Sequence, residues 1–241
     1  KCATALPLAH ALANPNRLDE SDEGAAHGHL AAVGVAFLLG AALIRTLRGR
    51  GWFDKRPEPR LIDLLDLVAL GTVADVAQIR GLNRAFVAQG LKAMARRGNI
   101  GLNALLSASR LERAPQASDL GFALGPRINA GGRVGKSDLG VRLLTTSDPD
   151  EAAAIAGELN RLNEERRAIE AMVQEQAEQL MAAQSGRAVA LVAQTGWHPG
   201  VIGIVAGRLK EKAGIPAIVI ALDEGGIGKG SGRSVMGVDL G

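Results

Sequence analysis

The chain has 241 residues, a net charge of +3 and a sequence pI of about 9.3. With 47% hydrophobic residues it carries enough apolar side chain to fill a core, which argues against disorder. At 2% aromatic residues it offers no row of stacking platforms for bases, and its mild basicity permits a nucleic-acid partner without requiring one.

Cys2 is the only cysteine, which excludes an internal disulfide and a zinc-cysteine cluster and fits a reducing, cytoplasmic setting. The longest apolar run, Ala31 to Ile44, is shorter than the ~20 residues a bilayer asks for, so no membrane partner is expected. No signal peptide is visible. The chain starts at Lys1 and stops at Gly241 after a glycine-rich stretch, and both ends read as cuts in a longer protein.

In chain order, residues 1–30 are loop-rich, with Asn14-Pro15-Asn16 as a turn and an acidic patch from Asp19 to Glu23. Residues 31–50 predict a helix closed by Arg45, Arg48 and Arg50. Trp52 to Arg60, with two prolines, is a connector; Leu61 to Gly71 predicts a second helix or a helix-strand junction. Residues 82–97 predict an amphipathic helix closed by Arg96, Arg97 and Gly98.

Asp148 suits a helix N-cap, Pro149 the first turn, and Glu151 follows three residues after the cap as in a capping box. Ile155, Leu159, Leu162, Ile169, Val173 and Leu180 then keep an apolar stripe at helical spacing. At ~1.5 Å per residue this helix runs roughly 50 Å. It is either a bridge between two domains or a coiled-coil arm, and the strand signals that resume directly after it favour the bridge. Residues 187–194 predict a buried strand, Val201 to Lys212 a helix, and Ala217 to Leu222 a second strand, together a parallel α/β unit.

Four segments carry candidate chemistry. In Leu70 to Ala77, Asp75 stands inside an apolar stretch. A buried lone carboxylate is costly unless a cation or several donors meet it, so Asp75 is either a ligand for a hard divalent metal or a helix cap. In Gly125 to Arg133, Arg127, Asn129 and Arg133 lie in what reads as a glycine-rich turn, suited to phosphate oxygens or simply solvated. In Gly196 to Gly203, His198 sits after a strand and before a helix, where anions collect; it binds phosphate, moves a proton or meets a metal-bound group, or else packs beside Trp197. In Gly228 to Ser234, the residues Ser231, Gly232, Arg233 and Ser234 with Lys229 make either a phosphate cradle or a linker, and the spacing excludes a P-loop.

These segments, quoted as LGTVADV (70–76), PRINA (126–130) with Arg133, GWHPGVIG (196–203) and GSGRS (230–234), lie in this order around a long helix. So arranged, they resemble the RecJ family of the DHH phosphoesterase superfamily. Asn14-Pro15-Asn16 and Gly34-Val35-Ala36-Phe37 match its pattern too, and the resemblance covers essentially the whole chain. It implies an α/β fold: a DHH phosphoesterase domain, with a parallel sheet flanked by helices, joined by a long helix to a smaller α/β DHH-associated domain across a cleft, both truncated here. The boundaries expected are residues 1–147, 148–185 and 186–241.

The resemblance further implies a metal-dependent 5′-to-3′ exonuclease on single-stranded DNA that serves recombination and repair, with two Mn2+ or Mg2+ ions. Asp75 would be a metal-ligating, catalytic residue and His198 a catalytic residue near the scissile phosphate. Arg127, Asn129 and Arg133 would line the DNA path, and Ser231, Gly232, Arg233 and Ser234 would hold a DNA phosphate. A single-stranded-DNA-binding protein or a helicase is the expected partner of a monomer. The Asp-His-His and earlier aspartate motifs, a later Gly-Gly-His segment and an OB domain are absent from the sequence, so the chain alone is expected to bind metal weakly and not to catalyse. The rival readings are a DHH-family oligoribonuclease or small-nucleotide phosphoesterase, a non-catalytic RecJ-like replication scaffold, and a nucleotide-binding α/β domain without turnover.

Overall fold

The computed structural model describes residues 9–17, 22–184 and 186–240; Cys2 and the Asp19–Ser21 part of the acidic patch lie outside them. The chain divides into two compact units, Lys1–Pro126 with Val141–Gly157, and Arg127–Gly140 with Glu158–Gly241.

The first unit is helical among its described residues. Its elements are α1 (Asp22–Ala25), α2 (Ala32–Gly49), a 3-10 turn (Leu61–Leu64), α3 (Leu65–Ala74), α4 (Gly81–Ala95), α5 (Ile100–Ala108), the short α6 (Ala117–Asp119) and a π turn (Leu120–Leu124). Next come α7 (Gly125–Val134), α8 (Leu139–Thr145) and α9 (Pro149–Ala182), which the two units share. Leu65 and Val68 of α3 meet Phe86 of α4 and Leu30, and Phe37 packs edge-on against Phe86 at 5.3 Å. Leu102, Leu105 and Leu106 of α5, Leu120 and Leu124 of the π turn, and Leu143 of α8 are fully buried. Each such side chain contributes about 1.5–3 kcal/mol relative to exposure. Asn99 caps α5: its side chain accepts from the Leu102 amide at 2.9 Å and donates to the Leu144 carbonyl at 3.3 Å.

Helix α2 runs past the Ala31–Ile44 stretch to Gly49, and at 18 residues with mean hydropathy 1.5 it is long and apolar enough to cross a membrane by length and composition alone. Arg45 and Arg48 follow the apolar run without ending the helix.

Helix α9 begins as its sequence predicts. The Asp148 carboxylate accepts from the amides of Asp150 and Glu151, at 2.8 and 3.3 Å. The reciprocal half of the capping box does not form. Glu151 is drawn instead to Thr146 Oγ1 at 2.5 Å and Arg142 at 2.8 Å, and the Asp148 amide donates to Thr146 Oγ1 at 3.1 Å. The apolar stripe is buried at Ile155, Leu159, Leu162 and Val173, while Ile169 and Leu180 pack against the second core.

The second unit holds a three-stranded sheet in the order β1 (Ala190–Thr195), β2 (Ala217–Leu222), β3 (Gly228–Arg233), with α10 (Ile202–Ala213) between the first two. Strands β1 and β2 pair in parallel from Ala190 opposite Ala217, the strand-helix-strand unit expected, and β3 returns antiparallel with Arg233 opposite Ala217. Val192, Val205, Leu209 and Val219 join Val173 and Ala177 of α9 in one core. The α/β class and the long helix stand as read, with every described strand in this unit.

Two segments read as loops are regular structure. Gly125 to Arg133 is helix α7, not a turn. The π turn before it widens the coil ahead of Pro126, which lacks an N–H, and Ala130 is fully buried while Gly131 abuts Leu159. Packing outweighs glycine's poor helix propensity there. Gly228 to Arg233 is strand β3, held by backbone pairing to β2.

Candidate functional site

Asp75 belongs to the first unit. It follows the last residue of α3, and its amide donates to the Gly71 carbonyl at 3.0 Å. Val76 comes next at φ 56°, its amide on Val73 O at 3.0 Å, while the Ala77 amide reaches Thr72 O at 3.2 Å. These two bonds make a Schellman turn, normally built on glycine. The turn carries the chain out of the apolar helix, so Asp75 is exposed and not buried as its neighbours suggested. Among the described residues no group of three or more His, Cys, Asp or Glu is placed to hold a metal ion. A hard divalent cation takes about six or more oxygen ligands, so the single Asp75 carboxylate does not by itself make a metal centre.

The second unit brings four of the other eight candidates together. Strand β1 ends at Thr195, Gly196 turns at φ 85°, and buried Trp197 donates its indole N–H to Gln176 Oε1 of α9 at 2.7 Å. That anchor fixes the turn bearing half-buried His198, whose Nδ1 accepts the Gly200 amide at 3.0 Å. Nε2 of the neutral ring then carries the hydrogen, ready to donate to an anionic oxygen. Arg133 of α7 donates to the Gly200 carbonyl at 3.1 Å. A Cβ on Gly200 would stand 2.2 Å from the Arg133 carbonyl oxygen, so only glycine lets the turn lie against α7.

The first turn of α10 opens at Val201 without a side-chain cap. Beside it lies β3, whose alternate side chains Lys229, Ser231 and Arg233 share one face. A Cβ on Gly203 would meet Ser231 Oγ at 3.1 Å and Arg233 Nη2 at 3.2 Å. Arg233 in turn donates to Ser231 Oγ at 3.0 Å and to the Gly232 carbonyl at 2.7 Å. A helix N-terminus, a hydroxyl and a guanidinium thus meet at one point, a chemistry suited to an anion: partial positive charge, hydrogen-bond donors and a full cation.

The remaining candidates separate. Gly232 faces the other way, toward Ile218 and Leu240, and offers only its backbone to Arg233. The Ser234 hydroxyl closes the next turn by donating to Val238 O at 2.5 Å. Arg127 is half-buried against α9 and donates to Asn160 Oδ1 at 2.9 Å, while Asn160 donates to Glu164 at 2.9 Å. Burial pushes the Arg127 guanidinium below its ordinary value; Glu164 opposes the shift and Arg167 adds to it. Asn129 and Arg133, four residues apart, share the exposed face of α7, so the helix divides Arg127 from them. The anchors Gln176 and Asn160 were not singled out from sequence; on a long polar helix face nothing distinguishes them from solvated residues.

The DHHA1 domain family matches residues 184–241. The "Single-stranded-DNA-specific exonuclease RecJ" of Dickeya dadantii (strain 3937) is 46% identical over 98% of this chain and 42% of its own length. The protein of the same name from Escherichia coli (strain K12) is 43% identical over the same shares, 98% and 42%. The chain thus spans 42% of the length of these curated relatives. The crystal structure of RecJ in complex with Mn2+ from Thermus thermophilus matches 85% of this chain and 29% of its own, at 37% identity and a TM-score of 0.71. Along almost its whole length the chain is similar to these RecJ proteins, and it shares the fold of a solved RecJ.

Proposed function

We propose that the chain is the phosphate-gripping part of a 5′-to-3′ exonuclease that hydrolyses single-stranded DNA in recombination and repair. The observation that carries this reading is the convergence of the uncapped α10 start, Ser231 and Arg233 beside the His198 turn, which Arg133 braces through Gly200. A DNA phosphate would sit against the α10 amides, Ser231 and Arg233. His198 Nε2–H would donate to an oxygen of the neighbouring phosphate, and Asn129 and Arg133 would follow the backbone along α7. None of these groups reads a base, which suits an enzyme that must accept any sequence.

Relatives solved with Mn2+ and Mg2+ support a divalent metal in the whole enzyme. Asp75 would be one ligand; the described residues do not complete such a site, and the chain alone is expected not to cleave. The domain division proposed is 1–147 for the catalytic part, 148–185 for the connecting helix and 186–241 for the associated domain. The DHHA1 match to 184–241 supports its last boundary. A cytoplasmic monomer working with a single-stranded-DNA-binding protein or a helicase completes the reading.

The test is an assay of the chain extended to include an Asp-His-His segment, on 5′- and 3′-labelled single strands, with manganese added or chelated. Metal-dependent shortening from the 5′ end, abolished by Asp75→Ala, is the expected result. DNA bound but never cut favours a scaffold, a reading that gains from the exposure of Asp75, since no buried carboxylate then demands a metal. Preferential cleavage of short oligoribonucleotides or small nucleotides would move the protein to that branch of the superfamily.

A further inference from the structure

Glu170 lies on α9 with 3% of its surface exposed and takes an arginine on each carboxylate oxygen. Arg166, one turn earlier, donates to Oε2, and Arg208 of α10 meets Oε1. Arg166 also donates to Asn163 Oδ1 at 3.0 Å, and Arg208 to Gln174 Oε1 at 2.5 Å. Burial lowers the Arg166 guanidinium from its ordinary value, and Glu170 opposes this. Arg133, Arg167 and Arg208 add to the lowering.

Two guanidinium groups, Arg166 of α9 and Arg208 of α10, are therefore held on one internal carboxylate. A buried ion cluster contributes little net stability, because desolvation offsets its attraction and apolar side chains of the same size would serve as well. What it supplies is placement. The Arg166 side chain is 12% exposed, whereas that of Arg208 is 49% exposed. Of the two arginines, Arg208 is the one open to solvent.

We infer that Glu170 is a positioning residue: it holds Arg166 and Arg208 so that the half-exposed Arg208 guanidinium is presented to the phosphodiester backbone of single-stranded DNA. The inference rests on the proposed nucleic-acid function and adds to it an anion that acts through arginines and not on the substrate. The two ways in which Glu170 can act have opposite signs. If its charge merely repelled DNA, Glu170→Gln would tighten binding. If it places the arginines, the same change weakens binding although the chain becomes more positive.

The experiment titrates a fluorescein-labelled oligothymidylate with the chain over a potassium chloride series and reads anisotropy. It compares the unchanged chain, Glu170→Gln, Arg208→Gln and the double variant, with circular dichroism melts to confirm folding. Glu170→Gln is expected to bind about 3- to 10-fold more weakly, and Arg208→Gln to lower the slope of log affinity against log salt by about 0.7. The double variant should lose less than the sum of the two, because both act through Arg208. A folded Glu170→Gln chain that binds as well as or better than the unchanged one overturns the inference. Should that variant fail to fold, an unchanged salt slope for Arg208→Gln overturns it instead. If the unchanged chain shows no salt-dependent binding, the nucleic-acid reading itself falls and this inference falls with it.

Discussion

The Gly200 amide donates to Nδ1 of His198 at 3.0 Å, and this one bond decides which face of the imidazole is chemically available. An accepting nitrogen carries no proton, so the neutral ring keeps its hydrogen on Nε2. Nitrogen-15 spectra of the labelled chain, at a pH where the ring is neutral, are expected to show the Nε2–H tautomer. A ring protonated at Nδ1 would remove the donor that the proposed phosphate contact uses.

Gly200 has a second task that a substitution can isolate. An added Cβ would approach the Arg133 carbonyl oxygen to 2.2 Å and His198 Cε1 to 3.0 Å. The first obstacle is backbone and cannot rotate away. Gly200→Ala is therefore expected to lower stability by about 1–3 kcal/mol, the usual cost of overpacking, and to weaken DNA binding by displacing both neighbours. Urea unfolding measures the first effect, and an unchanged midpoint would mean that the turn does not lie against α7.

Much of the fold was legible from periodicity and caps: α2, α4, α9 and the β1–α10–β2 unit all lie where spacing placed them. The misses share a cause. Gly125, Pro126, Gly131 and Gly132 argue locally for a turn, but α7 forms because Ala130 and Gly131 pack into the second unit, a long-range fact. Strand β3 has glycine at three of its first five residues, and its structure comes from pairing with β2, which no side-chain propensity reports. Asp75 looked buried because hydropathy averages across the end of α3, whereas the Schellman turn at Val76 sends the chain outward. The site residues were chosen for their chemistry, and their grouping depended on helical phase: six residues separate Arg127 from Arg133 and put them on different faces of α7.

Asp66 offers a pH test in the first unit. It is 3% exposed, and its Oδ1 accepts the Leu67 amide at 2.7 Å. Burial raises its carboxyl above the ordinary value; backbone hydrogen bonds partly counter this and Asp63 adds to it. A carboxyl whose value is raised on folding binds more protons in the folded state, so stability falls as pH climbs from the ordinary carboxylate value through the raised one. Asp66→Asn keeps the acceptor and removes the charge. It is expected to melt higher than the unchanged chain near neutral pH, with the advantage disappearing below the ordinary carboxylate value. An advantage that persists in acid would trace to packing and not to charge.

Val76 is a β-branched residue at φ 56° with 88% of its surface exposed, so its side chain gains little from packing while its backbone is strained. The left-handed conformation costs an L-residue about 1–2 kcal/mol, and more with branching at Cβ. Glycine would adopt it freely, although its looser unfolded chain returns about 0.5–1 kcal/mol of that gain. Val76→Gly should accordingly raise stability by about 0.5–1 kcal/mol in urea unfolding. Arg97 and Arg110 hold the same left-handed φ at other helix ends, so the strain at Val76 is first a property of the turn, and its bearing on the neighbouring Asp75 carboxylate is a matter for measurement. The same substitution, made in the chain extended by an Asp-His-His segment, separates the two consequences. A more stable protein with slower metal-dependent cleavage assigns the strain to Asp75. A more stable protein with unchanged cleavage leaves Val76 as a turn residue that glycine would fill better.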